Sequence, residues 1–188
     1  MAAQFFSALA DNALLITAIA MLREIQAPAE YEPLLKLFFT ISYVILAAFV
    51  GAFADSMPKG RVMLISNTIK IIGCVMMIAG TNPLYAYAVV GLGAAAYSPA
   101  KYGILTEYLP HSKLVVANSW IEGLTVAAII MGTMAGGWLI SPYVQELFHA
   151  ADTLLFGEVA GSLLDYSMSA IAGLYLIAAL FNLWVPDT

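Results

Sequence analysis

The sequence predicts an all-α membrane protein with six transmembrane helices. Three observations carry that expectation. Of the 188 residues 62% are hydrophobic and only 10% charged, the mean hydropathy is +0.90, and the apolar residues gather into six runs of helix-spanning length. A soluble domain is about 45–50% apolar and about 25% charged, so the excess here has to face lipid. The alternating polar and apolar strands of a membrane barrel are missing from the sequence.

A helix crossing the roughly 30 Å hydrocarbon core needs about 20 mostly apolar residues. Laid along the chain, that ruler gives spans at Phe5 to Leu22, Leu37 to Ala54, Val62 to Gly80, Leu84 to about Leu105, Leu114 to Ile140 and Met168 to Val185, all within a single membrane domain of residues 1–188. The first run carries Asp11 and Asn12 in its middle and has no basic leader, so it is read as a retained helix rather than a signal peptide. Between the first two spans, Arg23 to Pro33 is charged and holds two prolines, and Asp55 to Arg61 is a tight charged turn before the third. Thr81-Asn82-Pro83 puts proline where the fourth helix can start. The connection from the fifth to the sixth span, residues 141–167, contains Glu146, Asp152, Glu158 and Asp165 without Lys or Arg and is read as an outer-face loop, with interfacial helices as the alternative.

Basic residues set the orientation, because cytoplasmic loops retain Lys and Arg. With the first span leaving the cytoplasm, Lys59, Arg61, Lys101 and Lys113 fall inside and Arg23 and Lys36 outside, which places both termini in the cytoplasm. A net charge of −5 lacks the basic footprint of a nucleic-acid binder. One cysteine, Cys74, and two separated histidines, His111 and His149, provide neither a disulfide nor a metal set, and no cofactor or catalytic motif is expected.

A charge near the middle of a bilayer costs about 2.5–3.5 kcal/mol on insertion scales, so each one needs a partner, a wet cavity or a task. Asp11 and Asn12, midway along the first span, put a carboxylate and an amide on a turn of small residues and are candidates for ligand contact. Lys70 in the third span is read as an ion pair or as a lysine reaching for the interface. Lys101, two residues after Pro99, is divided between a binding role and the same reach. Glu122 follows Asn118 at the i, i+4 spacing of one helix face, which suits a binding site or a helix–helix contact equally. Gly132 and Gly136 have GxxxG spacing, mostly a packing signal. Pro99 favours a kink where a cavity can open.

The run Gly51-Ala52-Phe53-Ala54-Asp55-Ser56-Met57-Pro58-Lys59-Gly60-Arg61 resembles the loop signature of the major facilitator superfamily, although the glycine after Asp55 comes five residues on rather than three. Gly51 would let helices approach, and Asp55 with Lys59 and Arg61 would form a breakable charge cluster at a cytoplasmic gate. A narrower resemblance, to the bacterial lysophospholipid transporters of that superfamily, rests on Gln4 to Leu15, on Val50 to Val62, and on Gly91 to Leu105 with its Ala-Ala-Tyr-Ser-Pro-Ala-Lys-Tyr-Gly-Ile-Leu core. Ser112 to Val115, Ala117-Asn118 and Glu122 continue it, and it fades over the acidic connection and the sixth span.

The resemblance implies a non-enzymatic transporter that moves lysophosphatidylethanolamine and lysophosphatidylglycerol from the outer to the inner leaflet of the bacterial inner membrane, functionally linked to a reacylating acyltransferase. It implies twelve spans in two six-helix bundles, of which this chain supplies the N-terminal one and lacks the C-terminal one. The first and fourth helices then line the substrate path, where Asp11, Asn12, Tyr97, Ser98 and Lys101 fall, with Glu122 a further candidate and the third helix outside. Two other assignments fit the sequence: a membrane module fused to an acyltransferase or acyl-carrier-protein ligase, and a drug or small-solute carrier of the same superfamily.

Overall fold

In the computed structural model, which describes residues 1–157 and 161–185, the chain folds into seven helices. They are α1 (Ala2–Glu24), α2 (Tyr31–Asp55), α3 (Lys59–Ile78), α4 (Pro83–Tyr108), α5 (His111–Leu139), α6 (Pro142–Phe156) and α7 (Leu163–Asn182). Glu158, one of the acids of the connection before the sixth span, lies outside the described residues. The local start signals work as the sequence suggests. Asn82 accepts a hydrogen bond from the Leu84 amide at 2.9 Å, and Pro83 occupies the first turn of α4, where its missing N–H costs nothing.

Six apolar spans were expected, and among the described residues five helices (α1, α2, α3, α5 and α7) are by length and composition apolar enough to cross a membrane. The remaining one, α4, is a 26-residue helix, but Tyr85, Tyr87, Tyr97, Ser98, Pro99 and Lys101 dilute its apolar run, and it continues through Pro99. In residues 141–167, expected as an outer-face loop with interfacial helices as the alternative, α6 forms. Ser141 caps it, Pro142 opens it and Gly157 ends it in the left-handed region at φ 81°. Its 15 residues span about 22 Å, short of the hydrocarbon core. Val144 and Asp152 are buried, Asp152 accepts a hydrogen bond from Tyr166, and Phe148 stacks on the Tyr166 ring. Tyr143, Leu147, Leu154 and Leu155 are exposed.

Helix α1 lies against α5 and α7, α3 lies against α4 and α7, and α2 lies against α4. Contact between α1 and α2 and between α4 and α5 is slight, which leaves a cleft between the α1/α5 and α2/α4 pairs. Small residues set these approaches. A Cβ on Gly132 would sit 2.3 Å from the Leu9 carbonyl oxygen, and one on Gly136 would sit 2.8 Å from that of Ala13. The GxxxG pair of α5 is therefore the seam against α1. Gly93 does the same for α4, its Cβ position lying 2.6 Å from the Ser66 carbonyl oxygen of α3. Large apolar side chains on α2 (Val44, Ile45, Phe49) and on α5 (Val115, Val116, Met134) stay exposed.

Gly132→Val should cost about 1–3 kcal/mol, because backbone rather than a flexible side chain stands in its way. Gly123→Ala, facing open space, should stay within about 0.5 kcal/mol of the parent. Thermal unfolding of the detergent-solubilised protein, read by tryptophan fluorescence, distinguishes the two.

Candidate functional site

The cleft holds a cavity of about 420 Å³. Helices α1 to α5 line it. Gln4, Ser7, Ala8, Asp11, Asn12 and Leu15 of α1 follow the i, i+3, i+4 spacing, as do Lys36, Phe39, Thr40 and Tyr43 of α2. From α4 come Tyr87, Ala94, Tyr97, Ser98 and Lys101, from α5 Thr125 and Ile129, and from α3 a single residue, Lys70. The polar residues that thin out the apolar run of α4 are thus largely the ones facing this cavity.

Asp11 is held from two sides. Its Oδ2 is 2.9 Å from the Lys70 Nζ, and its Oδ1 accepts a 2.7 Å hydrogen bond from the Tyr175 hydroxyl of α7. Lys70 is 1% exposed. Its ammonium also donates to the Ser7 hydroxyl at 2.9 Å, and that hydroxyl donates to the Asn67 Oδ1 at 2.8 Å. The rings of Tyr97 and Tyr175 stand 5.2 and 5.4 Å from the Lys70 Nζ, within range of a cation–π contact. Lys70 is therefore an ion pair and does not reach for an interface. Its helix packs on α4 and α7, yet the side chain reaches the cavity, so an outlying position for α3 does not take Lys70 away from the site. The signal available in the sequence was Ser66 and Asn67, one turn before Lys70, which mark a polar face on α3.

Five of the six expected substrate-contacting residues line the cavity: Asp11, Asn12, Tyr97, Ser98 and Lys101. The Asn12 Nδ2 donates to the Ala8 carbonyl at 2.8 Å, while the buried Tyr97 hydroxyl has no hydrogen-bond partner among the described residues. Lys101 lies over the Tyr102 ring, with its Nζ 4.5 Å from the centroid. The sixth, Glu122, is not part of the lining and accepts a hydrogen bond from the Tyr102 hydroxyl. Its expected neighbour Asn118 is exposed. Gln4, which the sequence reading did not assign a role, donates to the Thr125 hydroxyl at 2.7 Å and ties α1 to α5 at the cavity wall. Among the described residues no three His, Cys, Asp or Glu side chains gather as metal ligands.

The charged turn between α2 and α3 is a separate cluster. The Lys59 Nζ lies 2.6 Å from the Asp55 Oδ1 and 3.6 Å from the Glu107 Oε1, and donates to the Ala54 carbonyl oxygen at 2.9 Å. It joins the end of α2, the start of α3 and the end of α4. Glu107 was not foreseen, because its distance along the chain hides the contact. Arg61 is exposed. A Cβ on Gly51 would meet nothing within 4 Å among the described residues, so no described helix lies close against it.

The sequence profile of the Major Facilitator Superfamily matches residues 1–188. Among curated proteins, the chain is similar to the lysophospholipid transporter LplT of Cronobacter sakazakii, with 45% identity over 168 residues, covering 89% of this chain and 42% of that protein. The corresponding transporter of Klebsiella pneumoniae is 45% identical over 161 residues, covering 86% and 41%. That of Yersinia enterocolitica is 41% identical over 184 residues, covering 98% and 41%. The chain thus spans rather less than half the length of these relatives.

Removing one member of a buried ion pair strands the other, at a cost of about 3–5 kcal/mol. Lys70→Met should therefore lower the unfolding temperature sharply, and Asp11→Asn combined with Lys70→Met should recover most of the loss. Thermal unfolding of the two variants and the parent in detergent measures the difference. A double variant as unstable as the single one would show that the pair's charges do not compensate each other.

Proposed function

The chain belongs to the major facilitator superfamily, and from that premise we propose that it supplies the N-terminal bundle of a lysophospholipid transporter in a bacterial inner membrane. The observation that carries the proposal is the cavity itself, which sets fixed charges and hydroxyls beside apolar side chains such as Leu15, Phe39 and Ile129. A lysophospholipid needs that combination, polar groups for the phosphoglycerol and apolar walls for one acyl chain. The similarity to proteins named as lysophospholipid transporters supports the same substrate class.

In this proposal the head group sits among α1, α2 and α4, with Lys101 taking the phosphate. A carboxylate has about four acceptor positions, and Tyr175 and Lys70 use two of those on Asp11. Its remaining capacity, together with Asn12, takes the glycerol hydroxyl or the ammonium. Tyr97 and Ser98 complete the polar wall, and Glu122 acts indirectly by holding Tyr102 beside Lys101. Both termini lie in the cytoplasm, so the Asp55/Lys59/Glu107 cluster, with Arg61 close by in sequence, is the cytoplasmic gate that breaks and reforms as this bundle rocks against a second one. Gly51 faces that second bundle. Moving lysolipid to the inner leaflet delivers it to an acyltransferase, the proposed functional partner.

The test is uptake of labelled lysophosphatidylethanolamine and lysophosphatidylglycerol into spheroplasts bearing the full-length protein. Lys101→Ala and Asp11→Ala should each reduce initial rates about tenfold or more, as the loss of one charge-assisted contact worth ~1.4 kcal/mol or more requires. Undiminished uptake at equal membrane abundance would remove both residues from the mechanism. A parent protein that exports drugs but takes up no lysolipid would overturn the substrate.

A further inference from the structure

We propose that Lys36 is a second phosphate contact of this cavity, at the end away from Lys101, and that it biases the site toward head groups of net negative charge. The inference rests on the lysophospholipid reading above and concerns a residue to which the sequence motifs assign no binding role.

The first argument is charge compensation. Four ionisable acid or base side chains line the cavity: Asp11, Lys36, Lys70 and Lys101. Asp11 and Lys70 cancel each other at 2.9 Å. The two that remain are both positive, and among the described residues neither amine forms an ion pair within 4 Å. Glu122, the acid within electrostatic reach of Lys101, is held by Tyr102 and lies outside the lining. Two uncompensated cations in a cleft with low-dielectric walls attract anions and repel cations. A second, independent sign of a ligand is on the α4 wall: Tyr97 is a residue 5% exposed whose hydroxyl, a donor suited to a phosphate oxygen, has no hydrogen-bond partner among the described residues.

The second argument is position. Helices α2 and α4 run in the same direction: the Phe39 and Tyr87 rings lie 5.2 Å apart, Val50 packs with Ala95 and Ala96, and Ala54 packs with Tyr97 and Ala100. Lys36 is nearly a turn before Phe39, whereas Lys101 is 14 residues beyond Tyr87. At 1.5 Å per residue the backbones carrying the two lysines lie about 25 Å apart along the bundle. The neutral Asp11/Lys70 pair lies between them, because Lys70 packs on Gly93 and faces Tyr97. Lys36, Phe39, Thr40 and Tyr43 share one face of α2, so the lysine opens a strip of polar and aromatic groups leading inward.

The chemistry follows. The phosphate of lysophosphatidylglycerol carries an uncompensated negative charge and gains from both cationic ends. The phosphate of lysophosphatidylethanolamine brings its own ammonium, which already offsets its charge and which finds among the described lining residues only Asp11, a carboxylate whose charge Lys70 cancels. Lys36 therefore discriminates between the two on electrostatic grounds, before shape enters.

Initial uptake rates of both lysolipids, measured with the full-length protein as parent, Lys36→Gln and Lys36→Arg, test this. Lys36→Gln should raise KM for lysophosphatidylglycerol about fivefold and that for lysophosphatidylethanolamine less than about twofold, with kcat little changed, as one solvent-exposed charge contact dictates. Lys36→Arg should keep the parent's ratio, and added salt should shrink the difference. An unchanged ratio, or an equal rise in both KM values, would overturn the proposal while leaving the transport reading intact. A parent that takes up neither lysolipid would overturn the transport reading. Lys36 is then judged by its protection from a water-soluble acetylating ester, quantified by mass spectrometry against exposed Lys113. Protection by lysophosphatidylglycerol beyond that given by lysophosphatidylethanolamine would support the site, and equal or no protection would overturn it.

Discussion

The ion pair between Asp11 and Lys70 constrains most of this bundle. It joins the middle of α1 to the middle of α3, and its third member, Tyr175, brings in α7. Lys70, 1% exposed, needs Asp11 beside it, so the helices that carry the pair must hold their rotation and height within the few tenths of an ångström that a hydrogen bond tolerates. Rotating α1 about its axis by one residue would turn Asp11 away from Lys70 and would also move Leu9 and Ala13 off the glycine seam of α5. The electrostatic and steric contacts of α1 therefore specify the same placement. Such agreement defines one arrangement among the many that apolar helices could adopt, since lipid solvates Leu and Ile as well as a neighbouring helix does.

The sequence made the helices legible and their partnerships much less so. Spans α1, α2, α3, α5 and α7 announce themselves by length and apolarity, and the starts of α4 and α6 are written in Asn82-Pro83 and Ser141-Pro142. The apolar run from Leu84 to about Leu105 also marks α4, although polar side chains concentrate on the face that meets the cavity. Hydropathy passes over α6, whose apolar and acidic residues alternate too quickly for a span yet sort cleanly onto helix faces. Asp11 and Lys101 could be singled out because an isolated charge in an apolar run is conspicuous. That Lys70 belongs with Asp11, and Lys59 with Glu107, are facts of three-dimensional proximity between residues far apart in the chain. Lys36 was assigned to a connection, because its place just before the second apolar run conceals that it is on the cavity face of α2.

The exposed apolar faces of α2 and α5 flank the cleft, where the bundle's own packing is thinnest. Gly51, with open space beside it, belongs to α2 as well. Helices that buried these faces inside one bundle would close the cavity, and helices that exposed polar groups there would be ill suited to either lipid or a second bundle. Apolar rims around a polar cleft resolve the conflict. They permit sliding against another apolar surface without desolvating a charge, so the charged groups can stay fixed within the bundle while the cleft changes width.

Composition sharpens this division. The chain has 7 Lys and Arg in all, and three of the seven, Lys36, Lys70 and Lys101, meet in one cavity. In a protein that can place so few charges, whether a charge is compensated matters more than whether it is present. Lys70 is spent on structure, since its charge is cancelled by Asp11 and its position fixed by Ser7 and two tyrosine rings. Asp11 is spent likewise and offers acceptor atoms rather than net charge. What a ligand experiences is the remainder, two cations and an unpaired tyrosine hydroxyl. The buried pair fixes the geometry and contributes little net field, and the uncompensated lysines supply the field on a frame they do not have to hold together.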